Sequence, residues 1–135
     1  MKEPEETEGI IGAAIEVHRT IGPGLLESVY EECVVIELEL RGMRVERQQP
    51  VPLVYKGRRI GGDLKIDLIV NDRVVVELKS VERLLPIHDA QTITYLRLTG
   101  KPIGLLINFN VPLLKDGIHR FLNLSPPSPC LRASV

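Results

Sequence analysis

The stretch DLKIDLIVNDRVVVELKS, residues 63–80, decides how the rest of the chain is read. Ile66, Leu68, Ile69 and Val70, then Val74, Val75, Val76 and Leu78, run on without polar alternation, the pattern of strands covered on both faces. Asn71-Asp72-Arg73 divides the two runs as a turn. Asp67, Glu77 and Lys79 stand inside this apolar segment, where an ionised group is costly unless it is partnered. In an extended strand Glu77 and Lys79 share a face about 7 Å apart, while Leu78 points into the opposite layer. With the odd loop 71–73 between the strands, Asp67 falls opposite Glu77, at a Cβ separation of roughly 5 Å.

Helical patterns precede this pair. From Thr7, a candidate N-cap, to Ile21, apolar residues Ile10, Ile11, Ala14, Val17 and Ile21 recur at three- and four-residue intervals. Gly22-Pro23-Gly24 breaks the chain. A longer helix follows, its stripe formed by Leu26, Val29, Tyr30, Cys33, Ile36 and Leu40 and its end marked by Gly42. Val45 to Tyr55 is β-prone, but Pro50 and Pro52 remove ladder donors, so it reads as an edge strand or a bulged pair. Lys56-Gly57 marks a turn. Beyond the central pair come a helix over His88–Leu98, a buried strand over Ile103–Phe109, a hairpin-like KDG turn and a last short strand over Ile118–Leu122.

This order predicts an α/β (α+β) fold, a central mixed sheet flanked by helices, in one domain over residues 1–124. The tail SPPSPCLRASV, residues 125–135, is too rich in Pro and Ser to pack and is expected to be mobile.

Composition narrows the function classes. Seventeen basic and eighteen acidic residues give a net charge of −1, so any site for a polyanion must be local. Lys56, Arg58, Arg59 and Lys65 form one such local cluster, explained almost equally well as a solvated hairpin. The chain has no Trp, so stacking platforms for bases are not indicated. Cys33 and Cys130 form neither a disulfide framework nor a metal-ligand spacing, and His18, His88 and His119 have no ligand spacing either. No apolar run approaches a membrane span and the acidic start lacks the regions of a signal peptide, so a reducing, cytoplasmic setting without membrane contact is expected.

Adjacent carboxylates in a half-buried sheet repel unless something neutralises them, and a divalent cation such as Mg²⁺ or Mn²⁺ with oxygen ligands meets that need. The ammonium of Lys79 would then supply positive charge to a phosphoryl oxygen. Spacing alone fits an ion pair at a strand end, with Asp67 capping its neighbour, about equally well.

Asp67 followed by Glu77-Leu78-Lys79 resembles the D…ExK signature of the PD-(D/E)XK nuclease superfamily, with Ile66 where the eponymous Pro would stand. GLLESVY, residues 24–30, resembles the motif that names the GxxExxY protein family, a branch of that superfamily. Gln91 and Tyr95, four apart on one helical face, resemble the QxxxY motif of recombination-type exonucleases. The resemblance, running from about Ile10 to Asn123, implies a restriction-endonuclease-like core and a metal-dependent nuclease, with DNA favoured over RNA and a homodimer as a candidate assembly. It implies metal ligation by Asp67, Glu77 and the Leu78 carbonyl, a metal- or water-orienting role for Glu27, a catalytic role for Lys79, and positioning roles for Gln91 and Tyr95. The alternative on the same fold is a catalytically silent module that binds nucleic acid or protein. Tyr30, at the edge of an apolar stripe, reads as a core residue with a bonded hydroxyl.

Overall fold

A computed structural model describes residues 3–124; the expected mobile tail, 125–135, lies outside the described residues. The elements run α1 (Glu3–Ile21), α2 (Glu27–Leu40), β1 (Val45–Pro50), β2 (Val54–Tyr55), β3 (Arg58–Arg59), β4 (Lys65–Val70), β5 (Val74–Lys79), α3 (Pro86–Thr99), β6 (Ile103–Asn108), a 3-10 turn (Leu114–Gly117) and β7 (Ile118–Leu122). Five strands form one sheet in the order β1-β4-β5-β6-β7, and β2 and β3 form a separate two-stranded hairpin. β5 and β6 are parallel, joined through α3, and the other neighbours are antiparallel.

Both faces of the sheet are covered, as the unbroken apolar runs require. On one face α1 and α2 pack against Leu68, Val70, Val76 and Leu78. On the other, Tyr95, Leu96 and Leu98 of α3 pack against Ile66, Ile69 and Val75. β4, β5 and β6 are central, and β1 is an edge strand, consistent with Pro50 at its end.

The three-residue turn 71–73 is held from three sides. Asn71 and Asp72 adopt left-handed backbone conformations, and Asn71 exchanges hydrogen bonds with Arg44, its Oδ1 accepting from the Arg44 N–H at 2.9 Å. The buried Glu6 of α1 accepts from the Asn71 amide at 3.1 Å and from Arg73 at 3.0 Å. Lys101 reaches Asp72 at 2.7 Å.

This docking explains a correction. α1 begins at Glu3, and Thr7 is not its N-cap but a fully buried residue one turn inside it. Nothing local to the acidic start marks Glu6 as a partner for the turn 65 residues away, and the first turns of the helix carry it there. The face of α2 also differs: Tyr30, Glu31, Val34, Val35 and Leu38 are buried, while Leu26, Ile36 and Leu40 are exposed. CVVIELEL is apolar on more than one side, so the spacing fixed the helix but left its rotation open by one residue, about 100°. The KDG residues belong to the 3-10 turn rather than to a tight hairpin loop, whereas the strand after them has the expected bounds.

At Gly117 an added Cβ would overlap the backbone carbonyl oxygen of Asn108. Gly117→Ala is therefore expected to destabilise the fold by about 1–3 kcal/mol, read as a lower denaturation midpoint at unchanged slope; an unchanged midpoint would contradict this packing.

Candidate functional site

The register Leu68↔Val76, Ile69↔Val75 and Val70↔Val74 carries forward to place Asp67 opposite Glu77. There the strands are joined through side chains. The Asp67 N–H donates to Glu77 Oε2 at 2.9 Å, and the Leu78 N–H donates to Asp67 Oδ2 at 2.9 Å. Each carboxylate thus takes the place of a ladder carbonyl, and the expected opposition of the pair is realised.

Glu77 is 4 % exposed. Burial, reinforced by the nearby negative charge of Asp67, pushes its carboxyl up to about 8, against the opposing pull of the Asp67 N–H and Lys79. Asp67 is also raised, first by burial and then by Glu31, while the Leu78 N–H, Gln48 and Lys79 pull it down. Lys79 is felt electrostatically by both acids, and no hydrogen bond or ion pair engages its ammonium among the described residues. Two hard oxygen donors left short of positive charge are chemically suited to a divalent cation.

The GLLESVY segment supplies the rim. Gly24 has φ +91°, a conformation open to glycine. The Tyr30 hydroxyl donates to the Gly22 carbonyl at 2.6 Å and accepts from the Leu25 N–H at 3.2 Å, and its ring stacks on Phe109 at 4.4 Å. Tyr30 is thus a buried clamp on the loop before α2. That loop is fastened to the residue after Lys79: Ser80 Oγ donates to the Leu25 carbonyl at 2.5 Å, and the Ser80 N–H donates to Glu27 Oε2 at 3.3 Å. Asn108, buried beside β5, holds both the N–H and the carbonyl of Val81. Glu27 is brought to the edge of the pair, close enough to push Glu77 upward, but its side chain is exposed. Among the described residues no three of His, Cys, Asp and Glu gather into a metal-ligand group.

From α3, Gln91 Nε2 donates to the Tyr95 hydroxyl at 3.0 Å. Burial and then the negative charge of Glu77 raise the Tyr95 phenol, so Tyr95 lies within electrostatic reach of the acidic pair.

Two further side chains join the site unforeseen. Gln48 lies opposite Asp67 in the β1–β4 register, where the ladder skips from Arg47↔Leu68 to Gln49↔Ile66, and it has φ +50°. Its amide donates to Glu31 at 2.7 Å and to Asp67 Oδ1 at 3.4 Å. Glu31 is buried and also accepts from Arg47 at 3.0 Å. Glu31 follows Glu27 by four residues, so a shared helical face was available as a signal. No sequence signal marks the left-handed backbone at Gln48.

A family model described as the PD-(D/E)XK nuclease superfamily matches residues 4–121, which include the sheet except the last residue of β7 and all the residues of this site. The chain belongs to that superfamily. Searches of curated proteins and of solved structures each return no match. The five-stranded mixed sheet with flanking helices is consistent with a restriction-endonuclease-like fold, and the acidic pair of this PD-(D/E)XK chain sits on its two adjoining central strands. The three histidines make contacts outside the site: His18 donates to the Val111 carbonyl, His88 accepts from the Leu85 N–H, and His119 meets Asp89. No helix is long and apolar enough to cross a membrane, among the described residues.

The raised carboxyl of Glu77 has a defined effect on stability without cation. Below 4.5 it is protonated folded and unfolded; between 4.5 and about 8 only the unfolded chain ionises, so the stability present at low pH is lost as pH rises and levels off above 8. Glu77→Gln keeps an oxygen for the Asp67 N–H and removes that loss. In chelator, thermal unfolding should show the variant more stable than the parent by a few kcal/mol near pH 9 and closely matched near pH 4; a gap independent of pH would refute the assignment.

Proposed function

We propose that this chain is a divalent-cation-dependent nuclease that hydrolyses phosphodiester bonds of nucleic acid, with duplex DNA as the first substrate to test. The observation that carries this reading is the opposition of Asp67 and Glu77 on adjoining strands with Lys79 two residues on, in a chain of the PD-(D/E)XK nuclease superfamily. GLLESVY supports assignment to the GxxExxY branch.

Asp67, Glu77 and the Leu78 carbonyl would hold Mg²⁺ or Mn²⁺, with Glu27 at the rim. The cation, when bound, supplies positive charge that polarises the scissile phosphate and favours ionisation of the attacking water. The protein arranges the rest. Leu78 and Gln48 each donate to one oxygen of Asp67, and the Asp67 N–H donates to Glu77, so both carboxylates are oriented before any ligand arrives. Lys79 opposes the negative charge that develops on the phosphoryl oxygens. Gln91 donates to the Tyr95 oxygen, which leaves the phenol proton free to bond a phosphate oxygen, and burial, followed by the influence of Glu77, raises that phenol above its ordinary value.

Purified protein incubated with duplex DNA, single-stranded DNA and RNA in Mg²⁺ or Mn²⁺ is expected to cut at least one of them, and chelator should stop the cutting. Glu77→Ala and Lys79→Ala should each lower kcat by about 10²-fold or more, and Tyr95→Phe by a smaller factor. Cleavage that survives both of the first two substitutions, or that continues in chelator, would overturn the reading.

A further inference from the structure

The β2–β3 hairpin contributes little to the core and yet has a definite shape. Val54 is its one buried side chain; Tyr55, Arg58 and Arg59 are exposed. Lys56 and Gly57 both have positive φ, 49° and 81°, as a two-residue type I′ turn requires. The hairpin is fastened by Ile60 N–H to Leu53 carbonyl and Val51 N–H to Leu64 carbonyl, both at 3.0 Å. An isolated two-stranded hairpin is marginal by itself, so a shape fixed this way without apolar return points to what its side chains carry.

They carry charge. Between Val54 and Lys65 stand Lys56, Arg58, Arg59 and Lys65 against the single carboxylate of Asp63, in a chain whose net charge is −1. Elsewhere Arg41, Arg47, Arg73 and Lys101 are each paired with a carboxylate. Among the described residues none of the four hairpin cations is so paired, and Lys56 lies over the Tyr55 ring, 5.4 Å from its centroid. The hairpin also leads directly into the site strand. Lys65 opens β4 two residues before Asp67, which puts the two on one side of the strand about 7 Å apart along it.

We propose that Lys56, Arg58, Arg59 and Lys65 form a surface that holds the phosphodiester backbone of a nucleic acid and leads it to the Asp67–Glu77 end of the sheet. This rests on the proposed nuclease reading for its second half only. The contacts are to phosphates rather than bases, since the hairpin's single aromatic ring, Tyr55, already lies under the Lys56 ammonium, so the surface is indifferent to sequence.

The test uses Glu77→Gln protein in chelator, with fluorescence anisotropy on labelled duplex DNA, single-stranded DNA and duplex RNA over a salt series. The parent should bind at least one of these. Adding Lys56→Ser, Arg58→Ser and Arg59→Ser together should weaken binding more than tenfold and flatten the slope of log K against log salt by about 2–3, near 0.9 per lost phosphate contact. Circular dichroism should show the fold retained, and a control triple at Lys115, Arg120 and Arg97 should leave the slope within about 1 of the parent. Unchanged affinity and slope in the hairpin variant, absence of nucleic-acid binding by the parent, or equal binding of poly-glutamate would each overturn the proposal. The two readings separate cleanly: cation-dependent cleavage with an unaltered KM in the hairpin variant defeats this surface and leaves the nuclease, whereas binding lost with the hairpin in a protein that never cleaves defeats the nuclease and leaves the surface.

Discussion

Two carboxylates facing each other across adjoining central strands form the constraint around which this structure is built. Asp67 and Glu77 meet because the turn after Val70 has three residues, and a slip of one residue would send every side chain of a strand to the other face. The elements that fix that turn are remote in sequence: Glu6 from α1, Arg44 before β1 and Lys101 after α3. The first helix and the site are therefore coupled by register. Glu6 is buried and charged at a distance from the site, and its value lies in holding the turn that aligns Asp67 with Glu77.

The pair is held at an energetic cost. Glu77 is lifted to about 8 by burial and by its neighbour, and the backbone N–H of Asp67 and the charge of Lys79 offset only part of that. Gln48 adds a second cost, a left-handed backbone within an edge strand, a strain of order 1 kcal/mol or more that persists where surrounding contacts over-determine it. The left-handed turn of the backbone brings the Gln48 amide to Glu31 and Asp67, so β1 reaches the site by interrupting its own ladder for one residue without changing register. Both costs fall at one end of the sheet, while the apolar layers on either side are regular.

The legible parts were those governed by period and spacing. Unbroken apolar runs gave the central strands, the odd loop gave the opposition of Asp67 and Glu77, and the two prolines gave the edge position of β1. The parts that escaped depended on partners distant in the chain. Thr7 looked like a cap because nothing local showed that Glu6 would be buried against Asn71 and Arg73. The rotation of α2 escaped because its apolar residues form more than one stripe, and the choice was made by Glu31, a charged residue whose partners Arg47 and Gln48 lie in another element. Gln48 itself was beyond reach, since its left-handed backbone is held by contacts to Glu31 and Asp67 in other elements and not by anything in its own segment.

The Tyr30 clamp shows how a residue outside the chemistry can still define a site. Its hydroxyl ties the Gly22 carbonyl to the Leu25 N–H, its ring rests on Phe109, and Phe109 follows β6, whose parallel pairing with β5 ends at Lys79↔Asn108. The Phe109 N–H in turn donates to the Lys79 carbonyl at 2.9 Å. One aromatic stack therefore links the loop that carries Glu27 to the strand that carries Lys79. Glu27 and Tyr30 are three residues apart because the two tasks lie on the first turn of one helix: the carboxylate faces the Ser80 N–H, and the phenol folds back under the loop that precedes it. In GLLESVY, glycine, glutamate and tyrosine thus do separate mechanical jobs, and only the glutamate is directed to the acidic pair.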